Sequence, residues 1–191
     1  MISHTHQFIF VHLSRTGGSS LERAAGVALT TDPRTRNMGN TDFADKHQTL
    51  QYYHDAYPEE FRTFFKFTIV RNPFDRLVSA WLWRTRFVCD MQCNLEEFIC
   101  TRPEKWTYTS RLSLKGMSPL KAIRVLDFVG RFEDIAETYS YVCSQLRIKR
   151  SAVTHTNRTL AEDYRRYYTP SMIDIVNDRY RQDLELFGYQ F

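Results

Sequence analysis

Phe8-Ile9-Phe10-Val11-His12-Leu13 is a short run of apolar and β-branched residues, closed by Ser14-Arg15-Thr16-Gly17-Gly18. A run of this kind ending in a glycine turn predicts a buried strand. Ser19-Ser20-Leu21-Glu22-Arg23-Ala24-Ala25 then favours helix, with serines available as caps. Residues 30–45 are rich in Thr, Asp, Asn, Arg and Gly and read as a loop. Gln48 to Tyr57 suits a short helix stopped by Pro58. Phe64-Phe65-Lys66-Phe67-Thr68-Ile69-Val70 is the second strong strand pattern. Asn72-Pro73 follows it, Asn as a cap and Pro at the first helical position. The helix beginning there carries Phe74, Leu77, Val78, Trp81 and Leu82 on one face, the spacing of a core-facing helix. Leu126 to Val129 is a weaker strand pattern, Glu133 to Leu146 a helical one. Thr169-Pro170 caps a helix with apolar Met172, Ile173, Val176 and Tyr180, and Leu186 to Tyr189 should pack back on the body.

Strands alternating with helices predict an α/β fold, a central parallel sheet flanked by helices. In such sheets ligands bind beyond the carboxyl ends of the strands. Both marked turns, at residues 14–20 and 71–76, leave strands at that edge. The length of 191 residues suits a single domain over residues 1–191. Apolar residues at 42% suffice for a core, and with only 7 Gly and 6 Pro and no low-complexity tract, an ordered chain is expected. No apolar run reaches the roughly 18 residues of a membrane span. Met1 to Gln7 is polar and lacks the features of a signal peptide, so the expected location is cytoplasmic. A Golgi-lumenal domain separated from its anchor is the alternative.

The net charge is +4, with the excess toward Arg147 to Arg150, Arg158 and Arg165-Arg166. That suits an anionic ligand and equally a solvated basic surface. The four cysteines, Cys89, Cys93, Cys100 and Cys143, form no metal-ligand framework, and no metal is expected. Their default state is reduced; Cys89 and Cys93 would be the pair to bridge in an oxidising compartment.

Within Ser14 to Ser20, two glycines let a backbone approach an anion closely, ahead of a helix start with exposed N–H groups. Thr16, Ser19 and Ser20 add hydroxyl donors, and Arg15 adds a charge. A strand-to-helix turn in which glycine merely relieves strain explains the same residues equally well. The lysine-bearing P-loop pattern of nucleotide kinases is absent. In the second turn, Arg71 stands at a strand end and Ser79 on the next helix, so both can meet one phosphate. Asp75 and Arg76 read as helix-start and surface charges.

With those residues named, a likeness emerges. Residues 10–20, Phe-Val-His-Leu-Ser-Arg-Thr-Gly-Gly-Ser-Ser, resemble the 5′-phosphosulfate loop of sulfotransferases, closest to the carbohydrate (family 2) group. Residues 70–81, Val-Arg-Asn-Pro-Phe-Asp-Arg-Leu-Val-Ser-Ala-Trp, resemble that group's 3′-phosphate motif. Val129 to Glu133 and the ending from Tyr168 to Tyr189 are also similar. The resemblance implies a nucleotide-kinase-like fold using 3′-phosphoadenosine 5′-phosphosulfate (PAPS) as donor, without a metal. It implies that Arg15, Thr16, Gly17, Gly18, Ser19 and Ser20 hold the 5′-phosphosulfate, and Arg71 and Ser79 the 3′-phosphate. Ser14-Arg15 departs from the family's Pro-Lys. Arginine keeps the charge that would steady the leaving oxygen, but on a planar fork rather than a compact ammonium.

In-line attack of a hydroxyl on sulfur calls for a base titrating near neutral pH, and histidine suits it. The likeness puts the family's base between the two motifs, which selects His47 as catalytic residue with Arg15, and His54 in reserve. His12, inside the first strand, reads as a core residue, and His4 and His6 as solvated. His155 reads as a ligand-side or ordinary loop residue, and Lys46 as an ordinary surface charge or a helper at the sulfate. The expected partner is a hydroxyl acceptor, a carbohydrate or glycoconjugate. Segments 30–45 and 101–118 are the natural places to recognise it. Trp81 reads as core, while Trp83 and Arg84 fall on another helix face. Three other readings remain: a non-catalytic module binding 3′-phosphonucleotides or sulfated glycans, a nucleotide kinase, and, last, a nucleic-acid binder, for which no motif speaks.

Overall fold

The structure, a computed structural model, describes residues 1–4, 6–18, 21, 47–87, 93–101, 106–148 and 163–191. Strands β1 (Ile2–Ser3), β2 (Phe8–Val11), β3 (Phe65–Val70) and β4 (Phe128–Arg131) form one sheet in that order. In chain order the helices between and after them are α1 (Leu50–Ala56), α2 (Pro58–Thr63), α3 (Pro73–Phe87), α4 (Leu95–Cys100), α5 (Tyr108–Arg111) and α6 (Pro119–Ile123). Beyond β4 come α7 (Ile135–Gln145), a short 3-10 turn (Tyr164–Tyr167), α8 (Pro170–Arg179) and α9 (Arg181–Phe187). The chain divides into two compact units. One is Met1–Val70 with Arg111–Thr156, the other Arg71–Ser110 with Asn157–Phe191.

The first unit holds the whole sheet. β2, β3 and β4 are parallel, with Phe10 opposite Phe67 and Phe67 opposite Phe128. β1 runs antiparallel to β2, so the sheet is mixed rather than wholly parallel. The expectation of a polar, solvated terminus is corrected here. Ile2 is only 1% exposed, and a turn through Gln7, in left-handed backbone at φ 52°, brings Ile2 opposite Ile9. Two apolar residues ahead of a tight turn suffice for an edge strand. His4 accordingly lies 3.6 Å from Glu60, its ring edge-on to Tyr57 and Phe64.

Phe8, Phe10, Phe67 and Ile69 meet Tyr139 and Val142 of α7 in the core. Burying each such side chain contributes about 1.5–3 kcal/mol, enough to fix α7 against the sheet. Pro58 both stops α1 and starts α2, because proline ends one hydrogen-bond ladder yet fits the first turn of the next. Phe61 of α2 is buried, so this extra helix has a packing reason that the sequence pattern did not reveal.

The second unit is helical. Phe74, Leu77 and Val78 of α3 pack with Phe98 and Ile99 of α4 and Met172 and Val176 of α8; Trp81 and Leu82 join partly buried. This is the predicted face of α3. Asn94 and Glu97 form a capping box on α4, and Thr169 caps α8 by accepting from the Met172 N–H. Among the described residues, no helix is long and apolar enough to cross a membrane.

β4 and α7 come close at Gly130, where a Cβ would lie 2.4 Å from Thr138 Cγ2. Thr138 cannot yield easily. Its hydroxyl accepts from the Arg131 N–H at 3.2 Å and donates to the Arg131 carbonyl at 3.0 Å. Gly130→Ala is therefore expected to lower stability by about 2 kcal/mol in equilibrium urea unfolding. Adding Thr138→Ser, which removes Cγ2 and keeps the hydroxyl, should recover most of it; a single variant as stable as wild type would refute the close contact.

Candidate functional site

β2 ends at Val11, and the chain continues through buried His12 and Leu13 into the turn at 14–18. Arg15 and Gly17 take left-handed backbone, at φ 63° and 83°, while Ser14, Thr16 and Gly18 do not. Alternation in the sign of φ is a feature of the backbone nests that bind anions. For Arg15 the left-handed backbone is strained, by about 1–2 kcal/mol. Three bonds hold it there. Thr16 Oγ1 donates to the Leu13 carbonyl at 2.8 Å, Tyr139 Oη donates to the Gly17 carbonyl at 2.9 Å, and the Leu21 N–H reaches that same carbonyl at 3.2 Å.

The Thr16 bond changes one expectation. Its hydroxyl proton is directed to the Leu13 carbonyl and the residue is fully buried, so the side chain is engaged inside the turn. The two glycines are also more than strain relief. A Cβ on Gly17 would come within 3.0 Å of the Phe132 ring, besides the left-handed φ. A Cβ on Gly18 would lie 2.2 Å from Nε2 of His12, inside the imidazole.

His12 is thus a buried wall of the turn, stacked on Phe10 at 5.1 Å. Its carbonyl accepts from Nδ1–H of His47 at 2.9 Å, and the two imidazoles lie 4.6 Å apart. A carbonyl can only accept, so the proton sits on Nδ1 and the lone pair of neutral His47 sits on Nε2. His12 therefore brings together the turn and His47. His54, the reserve candidate, is half exposed on α1 and bonded through Nδ1 to Asp55 at 2.7 Å, which holds the Asp55 carboxyl below its usual range.

In the second unit, Asn72 caps α3 by accepting from the Phe74 N–H at 3.1 Å. It also donates to the Gln190 carbonyl at 2.8 Å. The buried Arg71 guanidinium donates to both oxygens of Asp75, Nε at 2.7 Å and Nη2 at 2.8 Å. Asp75, read from sequence as a helix-start charge, thus orients Arg71. Ser79 is buried one turn further along α3, on the same face as Asp75. Arg76 is not a surface charge either. It is buried, its guanidinium 4.5 Å from the Tyr108 ring centre and 4.9 Å from that of Trp106, with Nη1 donating to the Trp106 carbonyl at 2.7 Å.

Sequence reasoning did not single out Tyr108 or Asp183. The Tyr108 hydroxyl donates to the Arg71 carbonyl at 2.8 Å and accepts from the Arg71 N–H at 3.1 Å. Asp183, fully buried at the start of α9, accepts from the N–H groups of Tyr108 at 2.6 Å and Thr109 at 2.8 Å. Burial pushes the Asp183 carboxyl above its usual range, against the pull of those N–H donors and Arg76; burial likewise raises the Tyr108 phenol. The available signal was an Asp within the apolar-rich C-terminal motif. Segment 101–118 is accordingly part core, since Tyr108, Leu112 and Leu114 are buried. Trp81, half-buried, donates from its indole to the Cys93 carbonyl at 2.9 Å, and Trp83 is half-buried too. Ser19, Ser20, Lys46, Cys89, His155, Arg158 and segment 30–45 lie outside the described residues.

Residues 1–190 match the model of a family described as the sulfotransferase family. A crystal structure of a sulfotransferase from Alicyclobacillus acidocaldarius aligns with TM-score 0.53 at 16% identity, over 95% of this chain and 94% of that one. Mouse sulfotransferase SULT7A1, crystallised with 3′-phosphoadenosine 5′-phosphate (PAP), aligns with TM-score 0.54 at 12% identity, over all of this chain and 91% of that one. At those identities the likeness is one of fold. An uncharacterized protein of Archaeoglobus fulgidus is 25% identical over 101 residues, 52% of this chain and 82% of its own length.

The contact of Gly18 with His12 makes a sharp prediction. Gly18→Ala should lower the urea-unfolding stability by about 2–3 kcal/mol, because φ is permissive but the ring blocks the methyl. His12→Ala in the same chain should recover part of the loss. Additive losses in the double variant would rule the contact out.

Proposed function

Because this chain belongs to the sulfotransferase family, we propose that it transfers a sulfuryl group from PAPS to a carbohydrate hydroxyl, with His47 as general base. The donor supplies the sulfuryl group and a nucleotide bearing phosphates at both ends. By the likeness of residues 10–20, the 14–18 turn and the Arg15 cation are assigned to its 5′ end; by that of residues 70–81, Arg71 and Ser79 are assigned to its 3′-phosphate. Ser19 and Ser20 belong to the same proposal through their likeness to the family loop. Among the described residues no group of His, Cys, Asp and Glu could hold a metal. The proposal gives all charge neutralisation to arginines and backbone.

His12 carries the proposal. Its ring packs on Gly18 and its carbonyl holds Nδ1–H of His47, so the His47 imidazole lies against the residue that walls the 14–18 turn, which supports this reading. As Nε2 takes the acceptor's proton, the carbonyl facing Nδ1–H stabilises the imidazolium that forms. Arg15 offers its charge to the oxygen left behind when sulfur departs. Its strained backbone, braced by Thr16 and Tyr139, fixes where that charge starts. Asp75 limits the freedom of Arg71, so less rotamer entropy is lost when a phosphate binds. The carbohydrate acceptor rests on the likeness of residues 10–20 and 70–81 to the carbohydrate group.

Calorimetric titration with PAP, with ATP as comparator, tests the donor. Wild type should bind PAP selectively, and Arg71→Ala should weaken it by about a hundredfold. No binding by folded wild-type protein would sink the proposal. His47→Ala should keep the PAP affinity and lower sulfation of a glycan acceptor by about 10²–10⁴-fold. Selective PAP binding with turnover indifferent to His47→Ala would remove His47 as base, and binding without turnover on any acceptor would favour a non-catalytic module.

A further inference from the structure

Arg71 is held at three points, two of which lie outside its own turn. Its guanidinium rests on Asp75, four residues ahead. Its peptide groups are held by one hydroxyl. Tyr108 Oη accepts from the Arg71 N–H and donates to the Arg71 carbonyl, the two bonds that a neighbouring strand would supply. Tyr108 in turn is anchored from the far end of the sequence. Asp183 accepts from the N–H groups of Tyr108 and Thr109 at the first turn of α5, satisfying donors that a helix start leaves open. The Tyr108 ring is fixed as well, with Arg76 on it at 4.5 Å and Phe187 edge-on at 5.7 Å.

We propose that Tyr108 and Asp183 are positioning residues for Arg71, and that through them the protein distinguishes nucleotides carrying a 3′-phosphate from those without one. This rests on the reading of Arg71 as the 3′-phosphate ligand given above. A guanidinium recognises a phosphate through a planar fork, so its discrimination depends on orientation as much as charge. The Asp75 contact fixes the head of Arg71 relative to α3, and the Tyr108 hydroxyl fixes its backbone. Without the hydroxyl, the Arg71 N–H and carbonyl lose these two bonds in a buried place, and the backbone of Arg71 is held less tightly.

The test uses PAP and adenosine 5′-phosphate, which differ only in the 3′-phosphate, titrated into the full chain. Tyr108→Phe keeps the ring, its Arg76 contact and its N–H bond to Asp183, and removes the hydroxyl alone. It should weaken PAP by about tenfold and change adenosine 5′-phosphate by less than about twofold. Asp183→Asn should move the ratio in the same direction. Tyr168→Phe is the control. It removes another hydroxyl of this unit, one that donates to the Phe74 carbonyl at 2.8 Å, and should lower stability without moving the ratio. A merely structural role for Tyr108 predicts that both ligands weaken together, and that result overturns the inference, as does an unchanged ratio. Should Asp183→Asn fail to fold, Tyr108→Phe decides alone. Wild type with no preference for PAP instead overturns the reading of Arg71, and this inference with it.

Discussion

The position of Gly18 can hold no side chain, because the His12 imidazole already fills the space where one would go. Much of the first unit's chemistry follows from that contact. His12 is pressed between the turn and Phe10, which stacks in its turn on Phe67 at 4.7 Å, so the turn is referenced to the middle of the sheet. The same residue's carbonyl selects the tautomer of His47. Backbone strain at Arg15 persists because these contacts, with Thr16 and Tyr139, leave the chain no relaxed alternative.

The second unit solves a different problem, how to keep a cation buried yet directed. Arg71 and Arg76 are near neighbours with opposite arrangements. Arg71 is paired in a bidentate ion pair with Asp75, whereas Arg76 lies on two aromatic rings and a carbonyl. A buried ion pair is weak evidence of stability, since desolvation offsets much of the attraction. What it supplies here is direction. The aromatic setting of Arg76 completes the wall around Tyr108 and adds a positive charge near the carboxylate of Asp183.

Features with a local cause were legible in the sequence. The apolar runs became β2 and β3, the Asn72-Pro73 start and apolar face of α3 are as the spacing predicts, and Thr169 caps α8. Local rules failed where a partner far along the chain decides. β1 is a strand because β2 folds back beside it, and two residues are too few for a period to register. The Thr16 hydroxyl donates to the Leu13 carbonyl between two left-handed residues, a contact that composition does not show because it carries no sign of φ. Asp75 and Arg76 look like ordinary charges until the fold surrounds them. The types of residues 14–18 and 47 single them out in the sequence, whereas the contacts of Tyr108 and Asp183 exist only in three dimensions.

Because the second unit is built from two stretches far apart in sequence, it also has a schedule. Asn72 meets Gln190 across 118 positions, and Tyr108 meets Asp183 across 75. During synthesis α3 and its capped start emerge well before Asp183, which anchors Tyr108 from 75 positions further along. Contacts of such separation are slow to form, because chain closure must come before any bond rewards it. Until those contacts close, the chain carries an incompletely held Arg71 and an unclosed helical face, the interval in which a chaperone or a misplaced contact has most influence.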